Sequence, residues 1–312
     1  MTQSTPHMDG KLRIYGNLSL LEMAPVLLAA RRDFAGKTII EHGGVMSLWG
    51  KPYDLPSLDA AGKSDIAANS ETQVLRSSFG NPDLRIIFTL AVCPYRIICR
   101  RSAGIARLED LRGKRIGTMP KSSGAYFLDR MLRTVGLTEQ DVTSVPFMAK
   151  TPAPLSLMPQ ALRSGDIDAV AVWEPESQKT KLAIGTDAIE FCDAAIYHEL
   201  FNLCTAQANL DDPAMRQKIV AFVRALIAAT AQLQRDPHEA RLLVAQAAGL
   251  TIESVVDSWP YLTYPATLAT DLLDVLCHAD VWVAKETRRA PRTRHELSQL
   301  IDDSVLREAL AA

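Results

Sequence analysis

The sequence predicts an α/β protein made of two layered domains, and three observations carry that expectation. The chain is 312 residues long, enough for about two domains that each bury their own core. Through the first two thirds, short β-type runs alternate with helical patterns, the arrangement expected of parallel strands joined by helices. A helix-to-strand turn also occurs twice, as Gly62-Lys63-Ser64-Asp65-Ile66 and as Ser164-Gly165-Asp166-Ile167-Asp168, each leading into a strand and then a polar loop.

The elements follow in order. Lys11–Tyr15 reads as a strand, then comes the loop Gly16-Asn17-Leu18-Ser19 and a helix carrying Leu20, Leu21, Ala24, Leu27 and Leu28. Pro25 places that helix's start nearby, because a proline in a helix interior loses a hydrogen bond and clashes with the preceding turn. Lys37–Glu41 and Asp65–Ala68 are the next strands, and Ser70–Phe79 is a helix with Val74, Leu75, Ser78 and Phe79 inward. Leu84–Val92 and Tyr95–Arg100 are strands on either side of Cys93-Pro94. Arg115–Thr118 leads into a helix from Ser122 to about Val135, with Gly136 as its stop. Ala169–Val172 has the composition of a buried strand. After about residue 210 helices predominate: Asp212-Pro213 and Asp236-Pro237 begin two, Gly249 ends the second, and Thr270–Lys285 and Arg294–Leu310 complete the set.

Composition excludes several function classes. With 34 Lys+Arg against 36 Asp+Glu there is no global field for nucleic acid, and no basic tract occurs. No apolar run reaches the roughly 20 residues needed to span a bilayer. The five cysteines are scattered without CxxC or Cys/His spacing, which argues against zinc and against a disulfide framework. Met1 to Gly10 is expected to be disordered and lacks the charged start and apolar stretch of a secretory signal. The expected partner is a small molecule.

In open α/β sheets, ligands sit beyond the carboxyl ends of strands, where loops and helix N-termini meet. That rule selects Asn17 and Ser19, then Ser70, Glu71 and Thr72, then Ser122, Ser123 and Tyr126, and finally Trp173 with Glu174. Among aromatics close to these loops, Trp49 joins Tyr95, Tyr126 and Trp173. The serines can equally be helix N-caps worth about 1 kcal/mol each. Glu71 and Glu174 repel a purely anionic ligand; they suit a zwitterion or a heterocycle with N–H donors, or they point to solvent or pair with arginine. Nothing points to a cofactor: there is no HExxH, GxSxG, GxxxxGK[ST] or GxGxxG. Cys93 is a nucleophile only if a histidine approaches, and otherwise a small buried hydrophobe.

Leu108–Gly117 (LEDLRGKRIG), followed by Ser122-Ser123-Gly124-Ala125-Tyr126-Phe127, resembles the start of the second lobe in ABC-transporter substrate-binding proteins. The branch is the nitrate/sulfonate/taurine group, which includes relatives that bind thiamine-pyrimidine precursors. Leu162–Pro175 (LRSGDIDAVAVWEP) is similar to that group's return strand and site loop, Asp65–Thr72 to its first-lobe loop, and His295–Leu310 to its C-terminal helix.

The resemblance implies a type II periplasmic-binding-protein fold, two α/β lobes with the ligand in the cleft between them. Residues 11–96 and 206–312 would form a discontinuous first lobe and 97–205 an inserted second lobe. It implies capture of a small sulfonate, amino-sulfonate or heterocycle by hinge closure, delivery to ABC permease subunits in the membrane, a periplasmic location and a monomer that is not an enzyme. The alternative on the same fold is a cytosolic enzyme or ligand sensor. Its desulfinase-like form needs a cysteine where this chain has Gly16-Asn17-Leu18-Ser19, and its pyrimidine-synthase-like form needs a cysteine-rich run that the sequence lacks.

Overall fold

A computed structural model describes residues 10–51, 62–148 and 154–311, so all but Gly10 of the segment expected to be disordered lies outside the described residues. Among the described residues ten strands form two sheets. They are β1 (Leu12–Gly16), β2 (Thr38–His42), β3 (Ile66–Ser70), β4 (Leu84–Pro94) and β5 (Arg96–Arg100), then β6 (Arg115–Thr118), β7 (Thr143–Pro146), β8 (Ala169–Val172), β9 (Ala188–Phe191) and β10 (His198–Ala206). The first sheet has the order β2-β1-β3-β10-β4 and the second β7-β6-β8-β5-β9. In each, three parallel strands are followed by an antiparallel one: β10 runs against β3 and β4, and β5 against β8 and β9.

Helices cover both sheets. The early ones are α1 (Ala24–Arg32), α2 (Glu71–Phe79), α3 (Ser123–Thr134), α4 (Met158–Ser164) and α5 (Glu176–Ile184). The later ones are α6 (Gln207–Asp211), α7 (Pro213–Arg235), α8 (His238–Ala248), α9 (Ile252–Ser258), α10 (Leu272–Glu286), α11 (Arg294–Ser298) and α12 (Ser304–Leu310). Helix α7 packs on α1 and α12, and α10 on α2, so the C-terminal helices complete the first lobe. Pro25 stands in the first turn of α1, behind a short 3-10 turn at Leu21–Met23. No described helix is long and apolar enough to cross a membrane.

The repeated turn has a structural cause. Strands β3 and β8 hold the same station in their sheets, and the aspartate just before each ties it to the neighbouring strand. Asp65 Oδ2 accepts the Arg13 N–H at 2.8 Å, and Asp168 Oδ2 accepts the Arg115 N–H at 2.9 Å. The Arg115 guanidinium then closes on Asp168 at 2.8 Å. The equivalent of Asp65 is thus Asp168, two residues beyond the Asp166 that matches it in the sequence.

Two expectations need correcting. Strand β10 lies in the first sheet, so the chain returns from the second sheet through residues 192–197, not at 205/206. The polar Glu199, Asn202 and Thr205 disguise this strand in the sequence, although all three are buried. Arg294–Leu310 is two short helices, because the chain between them pairs with β4: Leu300 O accepts the Ile86 N–H at 2.6 Å, and the Asp302 N–H donates to Ile86 O at 3.0 Å.

Candidate ligand-binding cavity

A cavity opens where the carboxyl ends of the two sheets' parallel strands face each other. It encloses about 480 Å³ of non-protein space, mouth included. From the first sheet come Asn17, Glu22, Asn69, Ser70, Gln73 and Glu199; from the second come Met119, Ser122, Ser123 and Trp173; Tyr95 stands at the crossing between them.

Local structure explains how these groups arrive. A Cβ on Gly16 would lie 2.6 Å from Met23 Sδ, so the glycine lets the Leu21–Met23 turn press against β1 and carries Glu22 inward. Ser122 is the N-cap of α3: its Oγ accepts the N–H groups of Gly124 and Ala125 and donates to Met119 O at 2.6 Å. Ser70 makes no such cap on α2; its Oγ lies 3.3 Å from Thr72 Oγ1. Asn17 Oδ1 accepts the Ser19 N–H, which orders the loop but leaves Ser19 outside the lining.

Several expected residues serve the walls and not the cavity surface. Thr72 Oγ1 sits 2.7 Å from Ser123 Oγ and joins α2 to α3. Gln73, which the sequence did not single out and which does line the cavity, donates from Nε2 to Lys121 O at 2.9 Å on the same rim. Tyr126 is buried between Tyr197 and Trp282, each ring 5.3 Å from its own.

Three of the expected contacts are corrected outright. Trp49 turns away, its indole N–H donating to Asp83 at 3.2 Å. Glu71 is fully buried and accepts from the Tyr197 hydroxyl at 2.8 Å and the Leu200 N–H at 3.1 Å, which fastens β10 to α2. Glu174 is spent on Arg96, whose Nε approaches at 3.0 Å while its guanidinium also reaches Glu190 and stacks 3.6 Å from the Tyr261 ring centroid.

The cavity floor holds what the sequence reading missed. Glu22 and Glu199 line it, and both are almost wholly buried. Tyr95 donates to Glu199 at 2.8 Å, and Cys93 Sγ lies 3.6 Å from Glu22 Oε1. Burial pushes the Glu22 carboxyl up to about 7, and burial together with Glu22 pushes Glu199 well above the carboxylate range. Burial and the same two acids push the Cys93 thiol up as well, which opposes a role as nucleophile. Donor atoms of Glu22, Cys93 and Glu199 lie within 4.8 Å of one another. Three donors, one a thiol held protonated, make a poor metal set and a good proton-sharing one. The signal for both acids was a lone charge inside an apolar run, in Leu20-Leu21-Glu22-Met23-Ala24 and Tyr197-His198-Glu199-Leu200-Phe201. No lysine or arginine lines the cavity among the described residues.

Residues 49–240, more than half of the chain, match the NMT1/THI5-like family. The chain belongs to that family. It is 28% identical over 223 residues to a putative thiamine biosynthesis protein of Haemophilus influenzae, covering 70% of this chain and 67% of that protein. The periplasmic aliphatic sulphonate binding protein SsuA of Escherichia coli superposes with a TM-score of 0.72 at 16% identity, over 94% of this chain and 92% of its own. The periplasmic nitrate-binding protein NrtA of Synechocystis gives 0.70 at 13% identity, over 97% and 89%. The desulfurization enzyme DszB shares the fold at 0.64 and 16% identity, over 96% and 99%. The two-lobed fold of ABC-transporter substrate-binding proteins is therefore the fold of this NMT1/THI5-like chain, and an enzyme uses it too.

Proposed function

We propose that this NMT1/THI5-like protein is the solute-binding component of an ABC importer, that it works in the periplasm, and that its two lobes close over a small heterocyclic ligand for delivery to the permease. The cavity lining carries this reading. Among the described residues, two carboxyl groups and no cationic side chain face the ligand space, alongside the hydroxyls and amides of Asn17, Asn69, Ser70, Gln73, Ser122 and Ser123. Such a surface offers acceptors to N–H groups and gives a sulfonate or nitrate no cationic partner. Trp173 and Tyr95, with ring centroids 6.2 Å apart, give a flat ring an aromatic wall. The name of the Haemophilus relative agrees with a ligand of the pyrimidine type.

Isothermal titration of the full chain with a panel of aminopyrimidines, alkanesulfonates and nitrate tests the proposal. Saturable binding confined to the heterocycles supports it. Tight binding of a sulfonate or nitrate refutes the ligand class, and turnover of any panel member refutes the transport role.

A further inference from the structure

We propose that Glu22 and Glu199 form a subsite for one positive charge, so that the ligand presents a protonated amine or amidinium group to the two carboxyls. The inference rests on the solute-binding reading above and narrows its ligand from an N–H donor to a cation.

Three features of the cavity floor lead there. First, each carboxyl keeps one oxygen, Glu22 Oε2 and Glu199 Oε2, without a hydrogen-bond partner among the described residues, although both side chains are more than nine-tenths buried. A buried acceptor left bare costs about 1–3 kcal/mol, and more when charged, so these oxygens are set for a donor from outside the chain. Second, the buried cation next to this region, Arg96, is already committed to Glu174 and Glu190. Third, the Trp173 and Tyr95 rings stand beside the pair, and aromatic faces favour a cation.

Without ligand, burial favours the protonated form of both carboxyls, and that protonation meets the charge problem. The groups facing them from neighbouring elements add no positive charge. Cys93 of β4, Tyr95, Tyr197 and Tyr264 are neutral, and Glu71 and Glu174 are acids. Protons and a cation therefore compete for the same oxygens. Below about pH 7, where Glu22 regains its proton, each further unit of acidity weakens cation binding by up to about tenfold.

Benzamidine and benzamide are suitable probes, being nearly isosteric, with the first cationic throughout the working range and the second neutral. Titrations of the full chain at about pH 8 and about pH 5.5 compare them. The expected result is benzamidine binding at least about tenfold tighter than benzamide at the higher pH, with the preference reduced about tenfold or more at the lower. Glu22→Gln and Glu199→Gln should each cut the preference, and thermal melts establish whether they fold. If a variant does not fold, the pH comparison on the parent chain decides. Equal affinities, a preference independent of pH, or no saturable benzamidine binding at millimolar concentration overturns the subsite. Saturable binding of heterocycles without charge preference would sink this inference alone, whereas absence of any small-molecule ligand would sink the importer reading with it.

Discussion

The hydroxyls of Thr72 and Ser123 lie 2.7 Å apart, and they belong to the first turns of helices that rise from different sheets. Each helix starts at the carboxyl end of a strand, so the contact joins the two lobes at the cavity rim. Gln73 and Arg76 reinforce it by donating to Lys121 O.

Replacing Ser123 by Ala removes this bond and leaves Thr72 Oγ1 with only the weaker Ser70 contact at 3.3 Å. The expected loss is about 1 kcal/mol of the contact between lobes. Hydrogen exchange should show faster protection loss in the first turns of α2 and α3, with the sheet interiors unchanged. Equal exchange in Ser123→Ala and the parent chain would remove the contact's role.

The second rim depends on Arg96, which is 1% exposed and holds Glu174, itself 5% exposed. Arg96→Met would strand a buried carboxylate and should lower unfolding stability by about 3–5 kcal/mol, read from urea denaturation. Arg96→Lys should recover only part of this, because lysine supplies neither the two-pronged geometry toward Glu174 nor the stack on Tyr261. Full recovery by lysine would show that charge alone matters there.

Stability should fall as pH rises from weakly acidic to weakly alkaline. Glu22 titrates near its ordinary value of 4.5 when unfolded and at about 7 when folded, and Glu71 at about 8 when folded. Unfolding thus releases protons between these values, and the stabilisation present at low pH is lost as the folded groups ionise. Thermal melts should decline across about pH 5 to 8, and Glu22→Gln should flatten part of that decline. A melting temperature rising over this interval would contradict the burial of both acids.

Trp173 lines the cavity and is only half-buried, so a bound ring should change its fluorescence. Trp173→Ala should weaken heterocycle binding by about 1–3 kcal/mol through lost stacking and apolar contact. Unaltered affinity would place the ring outside the binding surface.

What the sequence disclosed follows from which signals are local. The parallel strands and their following helices were readable because Ile14, Ile40 and Val170 sit in short apolar runs bounded by turns. Ser122 was readable both as a cap and as a cavity residue, since a strand followed by a hydroxyl at a helix start specifies both. Strand β10 was not, because its polar residues are satisfied only by groups distant in sequence: Asn202 by Thr89, and Thr205 by the Asp65 carbonyl. Glu71 and Glu174 were found at the right strand ends, and pairing with arginine was among the readings open for them. Tyr197 and Arg96 could not be named as partners, because they come from other strands or the chain's return crossing. Glu22 and Glu199 were missed for the same cause.

The position of β10 also sets an order of events during synthesis. This strand is the fourth of its sheet in space, wedged between β3 and β4, yet the ribosome delivers it only after the whole of the second sheet. The inserted lobe is one continuous stretch and can close on itself as soon as it emerges. The first lobe has to wait with β3 and β4 unjoined. Nascent chains stopped just past β9 should accordingly protect the later-made lobe from protease while the earlier-made one is still cut.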